Sequence, residues 1–151
     1  MTTTSNKNLA TILHLSALTQ YFIPFGNYII PIVIWSSKKD DSKFIDYNGK
    51  QVLNFQLSVF IYSLVLCLIA IPSLIYAFFL NVPFEAIVND NNFTITNFQL
   101  ENCTGFAIVG LLACFLLCTV KVIEFVYIIL AAVKTSHGEH YKYPLSIPFF
   151  K

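Results

Sequence analysis

Three apolar stretches dominate this chain, and each is long enough to cross a lipid bilayer as a helix. They run over residues 9–35, 52–80 and 105–133, whereas one crossing needs about 20 helical residues. Only 11% of the 151 residues are charged, against about 25% in an ordinary soluble domain. We therefore predict an all-α integral membrane protein that forms a single domain over residues 1–151 and has three transmembrane segments.

The first apolar stretch contains helix-breaking residues near its middle. Pro24, Gly26 and Pro31 interrupt "YFIPFGNYIIPIVIW", and a proline removes a backbone donor and clashes with the preceding turn. Two solutions stay open. One is a single broken crossing with the N-terminus outside, and the other is a re-entrant hairpin of two half-length helices with the N-terminus inside, which makes four segments. We favour the single crossing, broken at Pro24-Gly26.

Lysines are distributed unequally among the connections. The loop at 36–51 contains four and the tail at 134–151 contains three, whereas the loop at 81–104 contains none. Because short loops retained in the cytoplasm are the positively charged ones, we predict a cytoplasmic loop, a cytoplasmic tail and C-terminus, and an outer loop at 81–104. The outer loop includes "FTITNF", whose alternation hints at a short strand.

Composition also argues against several classes of function. All nine basic residues are lysines, so there is no arginine cluster of the kind that binds nucleic acid. The four cysteines form no CxxC pair, so neither a disulfide framework nor a zinc site is indicated. We see no catalytic nucleophile or acid–base pair, no metal site and no need for a cofactor, and therefore predict no enzyme activity. The first 18 residues lack a strong basic segment and a cleavage site, so we expect no cleaved signal peptide.

Four polar residues lie inside apolar stretches and are candidate intramembrane polar residues. They are His14, Asn27, Lys121 and Glu124. His14 has no second metal ligand at a suitable spacing, so we interpret it as a packing residue. Lys121 and Glu124 share a helix face and can pair. They form either an interfacial pair that extends toward the headgroups, a buried structural pair, or part of a transport or proton path; we favour the interfacial interpretation.

Polar residues also occur where the cytoplasmic loop meets the second predicted helix and where the third predicted helix meets the tail. Asn48 and Gln51 have capping-box spacing and predict the start of the second helix. Asn54, Gln56 and Ser58 follow it, and we interpret them as interhelical hydrogen-bonding residues. In "HGEHY", residues 137–141, the glycine suits a helix C-cap better than the two histidines suit a metal site.

Four segments carry a resemblance to a known family. "LHLSAL", "YFIPFGN", "KKDDSKFIDYNGKQVLNFQ" and "AAVKTSHGEHYKYPLSI" closely resemble the small bacterial membrane proteins grouped as domain of unknown function 4870, which are described as similar to Tic20 of chloroplast protein import. The resemblance covers about residues 10–65 and 128–147. It implies a location, the bacterial inner membrane, more than an activity. The long outer loop and the charged pair depart from the family's pattern.

The resemblance and the shared cytoplasmic side predict that "IDYNGKQVLNFQ" and "HGEHYKYP" touch and form a functional cytoplasmic cap. Its candidate residues are Asp46, Gly49, Lys50, Gln51, Asn54, Gln56, Gly138, Glu139, Tyr141, Tyr143 and Pro144. Two functions follow. One is a non-enzymatic accessory or scaffold module that docks partners through this cap, related to translocation by its Tic20 likeness. The other is an oligomeric channel or carrier for small solutes or ions. Expected partners are the lipid bilayer and a membrane protein or further copies of the chain, without nucleic acid.

Overall fold

The computed structural model describes the backbone of residues 3–81 and 100–150, and the side chains in this part outside 79–104. Within these residues the chain is all-helical and has no strand. The helices are α1 (Thr4–Ser16), α2 (Gly26–Lys38), α3 (Lys43–Asn81) and α4 (Leu100–Ser136), with a 3₁₀ helix at Ala17–Tyr21. The all-α prediction is confirmed, and the predicted strand in "FTITNF" lies outside the described residues.

The first apolar stretch forms a helical hairpin, which we call the α1–α2 hairpin, residues 4–38. Each of its α-helices has 13 residues and is therefore about 20 Å long, shorter than the roughly 30 Å hydrocarbon core. Only α3 and α4 are long and apolar enough to cross a membrane among the described residues. The interruption of the first segment is confirmed, but three crossings are not.

The break in the hairpin has a local cause. Phe25 adopts a left-handed backbone with φ 62°, a conformation that costs free energy in a residue with a side chain. Gly26 follows, and a Cβ atom there would lie 2.7 Å from the Thr19 hydroxyl. The chain can therefore turn tightly between the 3₁₀ helix and α2 only because position 26 has no side chain.

Helix α3 begins earlier than the sequence predicts. Its first residue is Lys43, and the Ser42 hydroxyl accepts a hydrogen bond from the Phe44 N–H at 3.2 Å, as capping side chains do. Asn48 lies inside α3 and is fully buried. The prediction of Asn48 as a cap was wrong, because Ser42 is an equally good capping residue and lies where the helix starts.

The described residues fall into two compact units. The terminal unit contains residues 3–61 and 121–150, and the central unit contains residues 62–81 and 100–120. In the central unit α3 and α4 contribute the buried small residues Ala70, Ala77 and Ala113, and the rings of Tyr76 and Phe106 meet edge to face at 4.6 Å. Small residues allow membrane helices to approach closely. The terminal unit is built differently, through buried polar side chains.

Candidate functional site

A buried hydrogen-bond network connects four segments of the terminal unit. His14 of α1 places its Nδ1 atom 2.8 Å from the Tyr143 hydroxyl and its Nε2 atom 3.0 Å from Asn48 Oδ1 of α3. Thr135 of α4 donates to the same Asn48 oxygen at 3.4 Å. All four side chains are at most 2% exposed. We call His14, Asn48, Thr135 and Tyr143 the histidine network.

The partners in this network fix the direction of each hydrogen bond. The Asn48 Nδ2 group donates to the Phe44 carbonyl at 2.8 Å, so its Oδ1 atom must accept. The N–H of a neutral His14 then lies on Nε2, and Nδ1 accepts from the phenol. Burial, with smaller contributions from Tyr141 and Glu124, raises the pKa of Tyr143 well above its usual value, so the phenol keeps the proton it donates. Every polar atom of His14 is satisfied, as a packing role requires.

A row of polar residues on α3 binds the backbone of the tail, residues 137–150. Asn54 Oδ1 accepts from the N–H groups of Phe149 and Phe150 at 3.0 and 2.8 Å, and Asn54 Nδ2 donates to the Phe150 carbonyl at 3.0 Å. The Ser58 hydroxyl accepts from the Ile147 N–H at 2.8 Å. Gln51 Oε1 accepts from the Tyr143 N–H at 3.4 Å. Spacings of three and four residues place these side chains on one helix face. We call Gln51, Asn54 and Ser58 the tail-binding row.

Gln56 faces the hairpin instead of the tail. Its Oε1 atom accepts from Asn27 Nδ2 of α2 at 2.7 Å, and the Tyr28 hydroxyl donates to its backbone carbonyl at 3.3 Å. The Gln56 Nε2 atom has no hydrogen-bond partner among the described residues. The predicted interhelical hydrogen bond is therefore observed for Gln56, whereas Asn54 and Ser58 bind the non-helical tail instead.

Lys121 and Glu124 form an ion pair with one buried and one exposed member. Glu124 has no exposed side-chain surface, whereas 47% of the Lys121 side chain is exposed, and the charged atoms are 2.9 Å apart. The second Glu124 oxygen accepts from Gln20 Nε2 of the hairpin at 3.0 Å. The favoured interpretation of two exposed, interfacial charges does not hold for Glu124, because the hairpin covers it.

The two predicted cap segments do touch, but through other residues than expected. The His140 ring packs edge to face on Phe44 and Tyr47 at 5.1 and 4.9 Å, and Gln51 reaches Tyr143. We expected Asp46, Lys50 or Gln51 to lie near His137, Glu139 or Tyr141, and of these Gln51 contacts the tail at Tyr143, two residues after Tyr141. Tyr141 is buried and packs edge to face on Tyr143 at 5.2 Å.

Asp46, Gly49 and Lys50 contact the end of α2 and each other. Asp46 accepts from the Trp35 Nε1–H at 2.9 Å and pairs with Lys50 at 2.7 Å. A Cβ atom at Gly49 would overlap the Trp35 side chain, so this glycine allows α2 to approach α3. Trp35 is thus a central residue of the cap that the sequence analysis did not select.

The start of the tail has the predicted turn. Gly138 has φ 89°, and the Glu139 N–H donates to the Lys134 carbonyl at 3.2 Å, which is the pattern of a glycine C-cap. His137 Nδ1 lies 2.9 Å from the Val133 carbonyl, away from the ring contacts of His140. Glu139 lies 3.9 Å from Lys134, and Pro144 is exposed.

Nothing in the described part of the chain has the arrangement of a metal centre. No three histidine, cysteine, aspartate or glutamate side chains approach one another closely enough there to hold an ion. The site instead consists of amides, hydroxyls, one imidazole and one ion pair, whose chemistry is hydrogen bonding between segments. Four residues of the site were not predicted from the sequence, although their polarity beside apolar neighbours was a signal: Gln20, Tyr28, Trp35 and Thr135.

Comparison with known proteins gives one match. The family model described as the magnetosome magnetite crystal formation protein family, MamF/MmsF, matches residues 5–150. No curated protein matches, and no solved structure matches. The assignment to domain of unknown function 4870 and to Tic20-like proteins was wrong, since the matching family is a different one and its match spans both the resembling segments and the stretch between them. The match and the two long apolar helices indicate a membrane protein.

Proposed function

This chain belongs to the magnetosome magnetite crystal formation protein family, and from that membership we propose that it is a non-enzymatic integral protein of the magnetosome membrane that takes part in forming magnetite crystals. The observation that carries the proposal is the extent of the match, residues 5–150. The matched range includes both long apolar helices, the histidine network and the tail-binding row.

Its mode of action in this proposal is that of an accessory or scaffold module. The contacts that support it are structural: the tail-binding row and the histidine network fix the tail against α3, and this gives an ordered surface around the cap. Exposed lysines border that surface at positions 38, 39 and 142. The partner is a membrane protein or a further copy of the chain, docked at the cap.

A second candidate function is an oligomeric channel or carrier for small solutes or ions. The observation that favours it is the Lys121–Glu124 pair, because ionisable residues within apolar helices commonly line transport paths. Two long helices per chain cannot enclose a polar path, so this function requires several copies. A double Lys121→Leu/Glu124→Leu variant that is folded but loses ion flux in proteoliposomes would favour the carrier over the scaffold.

The proposed orientation follows from the lysine distribution. Residues 36–51 and the tail face the cytoplasm, and residues 81–104 face the inside of the vesicle where the crystal grows. Single cysteines at positions 43 and 142, introduced in a cysteine-free variant, should react with an impermeant maleimide on purified, intact magnetosomes. A cysteine at position 97 should react only after the membrane is opened. Labelling in the reverse pattern would contradict the orientation.

The function is tested by deleting the gene in a magnetosome-forming host and measuring crystals by electron microscopy. We expect altered crystal size, restored by the wild-type chain, with the protein recovered in the magnetosome fraction. Complementation with Asn54→Ala, which releases the tail, tests the cap. Ser73→Ala is the matched control, since within the described residues the Ser73 hydroxyl donates to Ile69 of its own helix. Unchanged crystals in the deletion strain would refute the proposal.

A further inference from the structure

The α1–α2 hairpin has a charged base and an apolar tip. Lys7 and Lys38 lie at the base, whereas the turn exposes Tyr21, Phe22, Ile23 and Phe25, with Phe22 87% and Phe25 68% exposed. Exposing such side chains to water costs about 25 cal/mol for each Å² of apolar surface. Four exposed apolar side chains within five residues of one turn therefore indicate an apolar surrounding.

The depth of the tip can be measured from the Trp35 side chain. Its N–H group binds Asp46 and Lys39 lies 5.5 Å from the centre of its ring, contacts typical of the membrane–water interface, where tryptophan is enriched. Gly26, at the tip, is nine residues before Trp35, or about 14 Å along the helix. Half of the hydrocarbon core is about 15 Å. The tip therefore reaches the bilayer midplane and stops.

Helix α4 gives the same depth independently. Gln20, one residue before the tip, bonds Glu124, and Glu124 lies nine residues before Val133. Lys134, whose side chain is 48% exposed, follows Val133, and the nine residues from Val133 to Glu124 span about 14 Å of helix. The position of Glu124 at the level of the tip also explains why its carboxylate is covered by protein.

Hydrogen bonds hold the hairpin at this depth. His14 binds Asn48 at mid-height, and Gln20 and Asn27 bind Glu124 and Gln56 near the tip. These contacts involve both hairpin helices and both long helices. The hairpin is thus a fixed part of the terminal unit and cannot insert and withdraw freely.

We propose that the α1–α2 hairpin occupies only the leaflet next to its lysine-bearing base, and that the protein consequently favours membranes in which this leaflet is convex. Neither α1 nor α2 is long enough to cross both leaflets, and with Trp35 at the interface the tip ends at the midplane, so the hairpin adds the cross-section of two helices to one leaflet alone. Apolar helical surface inserted into one leaflet binds in a curvature-sensitive manner. The partner is the lipid leaflet itself, and the inference does not depend on a role in crystal formation.

Depth is the first test. In a cysteine-free variant, spin labels at Phe22→Cys and Ser37→Cys are compared in phosphatidylcholine–phosphatidylglycerol vesicles for accessibility to oxygen and to a water-soluble nickel complex. We expect position 22 to match a lipid labelled at the acyl-chain end and position 37 to match a headgroup label. If the accessibility of the label at position 22 instead matched that of the headgroup label, in either leaflet, the proposal would be wrong.

Curvature preference is the second test. The Ser37→Cys protein is reconstituted in the same lipids and labelled with an impermeant dye, so that only molecules with the lysine-bearing base outside are counted on single vesicles. We expect about twofold more protein per membrane area on vesicles of about 50 nm than on those of about 200 nm. Equal density on both sizes in the wild-type background would overturn the proposal.

A variant pair identifies the hairpin as the source of this preference. Phe22→Ser/Ile23→Ser makes the tip polar and should abolish the size dependence. The control Leu111→Ser/Leu112→Ser changes two exposed residues of α4 in the central unit and should retain it. Melting curves in detergent establish that both variants are folded, and a folded tip variant that keeps the full preference would contradict the hairpin as its cause.

Discussion

The terminal and central units bury different chemistry. The described buried side chains of the central unit are the small residues Ala70, Ala77 and Ala113, and at Gly110 a Cβ atom would lie 2.6 Å from the Leu74 side chain. The terminal unit buries larger apolar side chains as well, and with them the polar side chains of His14, Ser16, Asn27, Asn48, Asn54, Gln56, Ser58, Glu124 and Thr135. Close approach of small residues stabilises the central unit, whereas specific hydrogen bonds stabilise the terminal unit, although both belong to one apolar chain.

Packing of small residues and hydrogen bonding determine the arrangement of helices in different ways. Apolar helices in lipid gain little from burying apolar surface, so small residues and interhelical hydrogen bonds determine how they pack. A hydrogen bond also requires one particular partner, and an orphaned buried group costs more than a lost apolar contact. The terminal unit should therefore be sensitive to single polar substitutions and the central unit to added volume.

The largest effect is expected at the ion pair of the terminal unit. Lys121→Leu leaves the buried Glu124 carboxylate without its cation, which should lower the free energy of unfolding by up to about 3 kcal/mol. Adding Glu124→Leu should recover most of this loss, because no buried charge then remains unpaired. The measurement is unfolding in mixed detergent micelles.

Lys142→Leu is the matched control for the ion pair, since Lys142 is exposed in the tail and should unfold like the wild type. If Lys121→Leu were as stable as that control, the buried Glu124 would not need its partner. The interfacial interpretation of the pair would then regain support.

The sequence predicted the parts of this fold that depend on local pattern. Apolar length identified α3 and α4, proline and glycine identified the interruption near Gly26, and Gly138 was recognised as a C-cap. Each of these features depends on residues within one or two helical turns of one another. For the 9–35 stretch the sequence left a single broken crossing and a hairpin of two half-length helices open, and apolar length favoured the crossing, which the two 13-residue helices do not confirm.

The pairings of the site could not be predicted in the same way. His14 and Tyr143 are 129 positions apart, and Gln20 and Glu124 are 104 apart, so nothing local indicates that they meet. Polarity within apolar stretches did select His14, Asn27, Lys121 and Glu124. What one sequence lacks is the partner of each, and Asn48 was misassigned as a cap for that reason.

The next largest effect is expected in the histidine network. Tyr143→Phe removes the hydroxyl that donates to His14 and leaves a buried ring nitrogen unpaired, at a cost of about 1 to 3 kcal/mol. Tyr141→Phe is the matched control, because that hydroxyl has no hydrogen-bond partner in the part of the chain the structure describes. Thermal melting in detergent should separate the two variants, and equal melting temperatures would show that the His14–Tyr143 bond contributes nothing.

A smaller, local effect is expected along the tail-binding row. Asn54→Ala removes three hydrogen bonds to Phe149 and Phe150 at the far end of the tail. Amide hydrogen exchange at these two residues should become about tenfold faster for each 1.4 kcal/mol lost. Ser58→Ala should accelerate exchange mainly at Ile147, whose N–H it accepts. If both variants accelerated the whole tail equally, the tail would be released as one piece and not residue by residue.

The smallest effect is expected in the central unit. The substitution there adds volume to a packed contact, whereas the substitutions in the terminal unit remove a bonding partner. Gly110→Ala places a methyl group against the Leu74 side chain, whose Cδ2 and Cγ atoms lie 2.6 Å from the new Cβ. Overpacking of this size costs about 1 kcal/mol or more, but the end of a leucine side chain can shift, and alanine favours the helix over glycine by nearly the same amount. The control is Gly105→Ala, where no described atom lies within 4 Å of the added atom and the gain in helix propensity remains. We therefore expect Gly105→Ala to raise the melting temperature in detergent and Gly110→Ala to leave it unchanged or lower it slightly.

Equal stabilisation by both substitutions would mean that the helices of the central unit are not closely packed at Gly110, and that the contrast between the two units is one of polarity alone.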